Sequence, residues 1–146
     1  MIRILVPIDF TKVSFAALNY AVEMADAIKA ELTLIHVING SFSTADSMFL
    51  DTLDATYEAA ETRLADFVHQ YFIKTGKEEN SVSCRTEVRF GVAGFTIADF
   101  ANDQAFDYVV CGTRDSHSLI ERVLGTTSAI VTKQSKCPVV LIHENT

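Results

Sequence analysis

The residues best suited to chemistry lie in the run Cys111-Gly-Thr-Arg-Asp-Ser-His-Ser-Leu-Ile-Glu-Arg-Val-Leu-Gly-Thr-Thr-Ser128. Gly112 closes an apolar stretch, where the missing side chain lets another group approach the backbone. Gly125-Thr126-Thr127-Ser128 stands before a helical pattern, so its free N–H groups, its hydroxyls and the positive end of the helix dipole are the parts of an anion site. The same residues also serve as punctuation, Gly112 ending a strand and Thr126 or Thr127 capping a helix. Spacing alone leaves both readings open.

Other chemistry is missing. There is no GxxxxGK[ST] phosphate loop, no GxGxxG, no HExxH and no GxSxG elbow. His36, His69, His117 and His143 have no ligand-like spacing to one another or to a cysteine, so no metal site is expected. Asp115-Ser116-His117 carries triad letters, but a triad is assembled from distant segments. No catalytic residue is assigned, and slow ATP hydrolysis is left open. The chain has 12 Lys+Arg against 19 Asp+Glu, a formal charge of −7, which argues against nucleic acid or anionic lipid as the main partner. Cys84, Cys111 and Cys137 form an odd set without CxxC spacing and read as small buried hydrophobes in a reducing compartment. The first apolar run is too short for a signal core or a membrane span. We expect a cytoplasmic protein, one domain over residues 1–146.

The elements that must position these residues follow from apolar periodicity. Short apolar runs alternate with segments whose apolar residues recur every three or four positions, the pattern of repeated βαβ units. Five strands are expected, at Ile2 to Ile8, Leu32 to Val37, Cys84 to Phe90, Tyr108 to Cys111 and Val139 to Ile142. The polar alternation of the third suggests an exposed edge. A first helix carries the stripe Phe15, Leu18, Val22, Ala25, Ile28 with Ser14 as N-cap. A second carries Tyr57, Ala60, Leu64, Phe67, Val68, Tyr71 and ends near Gly76, before a polar loop at Lys77 to Ser81. Gly94, Ile97, Ala98 and Ala101 mark a third helix, and Thr126 to Gln134 a fourth. Residues 39–49 read as a loop. Right-handed crossovers with helices on both faces of an open parallel sheet give the order 3-2-1-4-5. The ligand crevice of such an α/β sheet lies outside the strand ends at the reversal point. Here that means Asp9-Phe10-Thr11 and Gly112-Thr113-Arg114.

The blocks Val6-Pro7-Ile8-Asp9-Phe10-Thr11, Leu34-Ile35-His36-Val37, Asp107 to Arg114, Gly125 to Ser128 and Lys136-Cys137-Pro138-Val139-Val140 come in an order that resembles the universal stress proteins of the UspA type, over essentially the whole chain. The resemblance implies an adenine nucleotide α-hydrolase-like fold, a role in stress response and an adenine nucleotide (ATP, ADP or AMP) as ligand. In the family's G-x2-G-x9-G-[ST] motif, Gly112, Gly125 and Thr126 match, while Asp115 replaces the second glycine. Two like charges about 4 Å apart at an effective dielectric near 20 oppose each other by roughly 4 kcal/mol, so a triphosphate is expected to bind weakly unless Mg2+, Arg114 or His117 compensates. The resemblance also implies that Asp9 serves the base and ribose, that the Val37 backbone reads adenine, that Pro7 and Thr11 flank Asp9, and that Cys111 and Thr127 join the site. It further implies a homodimer through the last strand, Val139 to His143. The alternative is a nucleotide-free dimeric interaction module.

Overall fold

The computed structural model describes residues 1–40, 47–113 and 126–143, with the backbone alone for 47–51. Strands β1 (Arg3–Pro7), β2 (Glu31–Asn39), β3 (Cys84–Gly91), β4 (Tyr108–Gly112) and β5 (Val139–Ile142) alternate with helices α1 (Lys12–Ile28), α2 (Ser47–Thr75), α3 (Ala93–Asp103) and α4 (Thr126–Gln134). The strands form one parallel sheet in the order β3-β2-β1-β4-β5, as the sequence pattern predicts.

Side chains alternate across a strand, and the sheet therefore feeds two cores. Ile4 and Val6 of β1, Leu32 and Leu34 of β2 and Val110 of β4 face α1 and α2, where Leu18, Val22, Leu64 and Tyr71 meet them. Leu5, Ile35, Val109 and Cys111 face the opposite way, toward Ile97 and Ala101 of α3 and Val131 of α4. Near-continuous apolar runs are what a sheet covered on both faces requires. The buried Tyr71 hydroxyl donates to Asn19 Oδ1 at 2.9 Å, tying α2 to α1.

Three local expectations are corrected. Thr11, not Ser14, caps α1: its side chain accepts from Ser14 N, and Ser14 is buried inside the first turn. The reason is geometric, since Ser14 lies one turn below Leu18 on the face packed against the sheet. Ile28, assigned to the buried stripe, is 37% exposed at the end of α1. Residues 39–49 are not one loop, because Asn39 pairs with Gly91 in the β2–β3 ladder and α2 starts at Ser47; positions 41–46 lie outside the described residues. The polar stretch after Gly76 contains a 3-10 turn, Glu79–Ser81, inside the expected loop.

Helix α4 is held so that its first residues meet the end of β4. Asn102 of α3 donates through Nδ2 to Gln134 O at 3.0 Å and accepts from Lys136 N at 2.8 Å, which fixes the far end of α4. Along the α3–α4 contact, a Cβ at Gly94 would stand 2.7 Å from Ile130 Cβ, so only hydrogen fits. Gly94→Ala is expected to lower stability by about 1–2 kcal/mol even after alanine's better helix propensity is allowed for. Urea unfolding checks this; a midpoint at or above that of the wild type would show that α3 and α4 separate at no cost.

Candidate functional site

The carboxyl ends of the neighbouring strands β1 and β4 meet the starts of α1 and α4. Between them lies a crevice with about 830 Å3 of empty space, its open mouth included. Of the residues singled out in the sequence, Pro7, Asp9, Val37, Cys111, Gly112, Thr126 and Thr127 line it. Thr11 stands behind Asp9 instead of in the wall. Arg114, Asp115, His117 and Gly125 lie outside the described residues.

The β1–α1 connection is an Asx turn followed by a cap. Asp9 Oδ1 accepts from Thr11 N at 3.1 Å and from Thr11 Oγ1; Thr11 Oγ1 in turn accepts from Ser14 N at 3.3 Å. The Ser14 hydroxyl closes the turn by donating to Thr11 O at 3.0 Å. One oxygen of the carboxylate is thus used by the fold, and no donor among the described residues reaches Oδ2. Asp9 is exposed and is the single carboxylate among the described lining residues, which include no Lys or Arg.

Between Asp9 and Thr11, Phe10 has φ +66°, a left-handed backbone that costs a bulky residue roughly 1–2 kcal/mol. Its ring compensates through packing. It lies 4.6 Å from the His36 ring and 5.7 Å edge-on from Phe67, and the Arg63 guanidinium sits 4.0 Å over its centre. His36 is fixed by Nδ1, 2.7 Å from Ile8 O; since a carbonyl only accepts, Nδ1 carries the proton there.

On the opposite wall Gly112 is the contact point. A Cβ at this position would meet Val13 O at 2.9 Å, so the glycine admits the first turn of α1 to the end of β4. The close approach inferred from the sequence is therefore made by the protein's own backbone. Ser128, 4% exposed, donates to Gly112 O at 3.1 Å, drawing the start of α4 onto β4. The hydroxyls of Thr126 and Thr127 are at the dipole-positive end of a helix of nine residues, an arrangement suited to an anion. The next residue, Thr113, is buried; its N–H donates to Ile142 O at 2.8 Å and its hydroxyl pairs with His143 Nδ1 at 2.9 Å. Among the described residues no three His, Cys, Asp or Glu side chains group to hold a metal ion.

Sequence reasoning assigned neither Ile8, Val13, Ser14, Ile35, His36, Ala93 nor Ile97 to the site, whereas Ser128, the end of its Gly125–Ser128 run, lines the crevice. His36 adjoins the assigned Val37 and could have been found by extending that motif. Ala93 and Ile97 arrive from α3, which carries no chemical signal.

A family model, described as the universal stress protein family, matches residues 1–143. Universal stress protein MJ0531 of Methanocaldococcus jannaschii is 28% identical over 145 residues, covering 97% of this chain and 82% of that protein. Among solved structures, the universal stress protein UspA from Lactobacillus plantarum superposes with a TM-score of 0.75 at 25% identity, over 97% of both chains. A universal stress protein crystallised in complex with cAMP gives 0.72 at 20% identity, over 99% of this chain and 98% of the other. A family protein from Arabidopsis thaliana with AMP bound gives 0.65 at 18%, over 99% and 93%.

Cys111 reports on the closure of this site. Burial pushes its thiol up to about 11, opposed by a hydrogen bond with Ser128 and aided by the Asp9 charge. In the unfolded chain the thiol ionises near its ordinary value of 9.0. As pH rises above that value, the unfolded state gives up this proton first, so it binds fewer protons than the native state and stability falls until the native thiol ionises as well. For one such thiol the slope is at most about 1.4 kcal/mol per pH unit. Under reducing conditions the urea midpoint of the wild type should therefore drop more steeply between pH 9 and 11 than that of Cys111→Ala. Parallel curves would contradict a buried, neutral thiol.

Proposed function

The chain belongs to the universal stress protein family, and from that premise we propose that it binds an adenine nucleotide in the crevice between the ends of β1 and β4. The observation that carries this is the pairing of two unlike walls: a carboxylate whose Oδ2 no donor among the described residues reaches, and a helix start bearing two hydroxyls. Together they match the two ends of a nucleotide. Asp9 Oδ2 accepts from ribose hydroxyls, and the Thr126–Thr127 end of α4 receives phosphate.

The base has a place as well. The β1 ladder stops at Pro7, opposite Ile35, whereas β2 runs on to Asn39. The β1-facing side of the Val37 backbone consequently has no strand partner among the described residues, and an adenine edge can bond to it. Ile35 and Ile97 line the crevice nearby and supply apolar surface for the ring. Relatives of this fold crystallised with cAMP and with AMP support the choice of ligand class. With no Lys or Arg among the described lining residues and Asp115 in the motif position of a glycine, a monophosphate suits the site better than a triphosphate. The role is nucleotide-dependent stress response, with no base assigned to a water.

We propose in addition that two copies associate through β5. Its residues, Val139-Val140-Leu141-Ile142, carry no charge at a sheet edge. The other edge, β3, carries Arg85, Glu87 and Arg89, the residue types that blunt an edge against pairing. Beside β5, Tyr20 of α1 is 46% exposed across a groove bounded by Ile142 and His143.

Equilibrium titration with AMP, ADP and ATP tests the ligand. AMP should bind the wild type, Asp9→Asn should weaken it about tenfold, roughly 1.4 kcal/mol, and Asp115→Gly should improve ATP relative to AMP. Failure of both the wild type and Asp115→Gly to bind any of the three overturns the reading. For assembly, light scattering should give the mass of two chains, and a monomer well above micromolar concentration would refute the β5 interface.

A further inference from the structure

Phe10 is a bulky residue in a left-handed backbone, φ +66°, between the residue that carries the crevice carboxylate and the residue that bonds to it. Such a conformation persists only where the surroundings over-determine it. Phe10 itself does not line the crevice. Its ring packs against the α1–α2 core, with His36 at 4.6 Å, Phe67 at 5.7 Å and the Arg63 guanidinium at 4.0 Å. His36 is anchored in its turn to Ile8 O, one residue before Asp9. The ring and the carboxylate are thus two ends of one rigid turn.

Resting on the adenine-nucleotide reading above, we propose that Phe10 is a positioning residue for that site: its ring, clamped by His36, Phe67 and Arg63, holds the Asp9–Thr11 peptide left-handed and thereby sets the Asp9 carboxylate toward ribose. Removing the ring leaves a side chain that still disfavours positive φ but no packing to enforce it. The turn then relaxes toward ordinary backbone, the Thr11 N–H loses Asp9 Oδ1, and the carboxylate leaves its register. A tyrosine at this position keeps the ring and its contacts.

The test uses the full chain, with AMP affinity measured well below each variant's melting temperature. Phe10→Ala should weaken AMP about fivefold to tenfold, no more than Asp9→Asn does, Phe10→Tyr should bind within threefold of the wild type, and on an Asp9→Asn background Phe10→Ala should add less than twofold, because both changes remove one interaction. A Phe10→Ala protein that melts earlier yet binds AMP as the wild type does would reduce Phe10 to core packing and overturn the proposal. Equal losses with and without the Asp9 carboxylate would overturn it too. Hydrogen exchange of the Thr11 amide in ligand-free protein reads the turn directly: at least tenfold faster exchange in Phe10→Ala is expected, and unchanged exchange refutes the clamp. If the wild type takes no AMP, the nucleotide reading falls, and the exchange measurement still decides whether Phe10 holds the turn.

Discussion

The first turn of α1 rests on the end of β4 so closely that one methyl group at position 112 would meet Val13 O at 2.9 Å. Everything at the carboxyl end of the sheet depends on that approach. β1 and β4 are neighbours in the sheet, with α1 packed on one face and α4 on the other, and a gap lies between their carboxyl ends. Because α1 seats against Gly112, the gap narrows to a crevice with Asp9 on one wall. Because Ser128 bonds the carbonyl of the same glycine, the start of α4 is brought to the other wall. A single residue without a side chain therefore serves as the meeting point of two helices, and its carbonyl is spent on holding the second.

The sheet was legible in the sequence because a strand covered on both faces must be apolar nearly throughout, and four of the five runs are. Lengths were less legible where pairing decides them: β2 extends to Asn39 because Gly91 lies beside it, and nothing within β2 announces its partner. The cap of α1 was ambiguous in kind. Thr11 and Ser14 both offer a hydroxyl three residues apart, and the choice falls to Thr11 because Ser14 belongs to the buried face with Leu18 and Ala21. In the site, Asp9, Gly112 and Thr126 announce themselves by type and place. His36 and Ser128 act through bonds to main-chain carbonyls of other segments, Ile8 and Gly112, and a contact of that kind exists only once the fold has brought the segments together.

The chain's negative charge gives little guidance to its chemistry. The formal charge of −7 counts nineteen acids alike, yet Asp9 alone among the described lining residues carries a carboxylate into the crevice. What distinguishes it is the use of its two oxygens. Oδ1 is taken up by Thr11, whose hydroxyl also caps α1, so the carboxylate is held by the helix it helps to start. An acid bound at both oxygens would be a structural element, and one bound at neither would swing freely and lose entropy on meeting a ligand. Holding one oxygen gives a fixed direction to the other, and that division lets the turn that begins α1 also present an acceptor to a hydroxylated ligand.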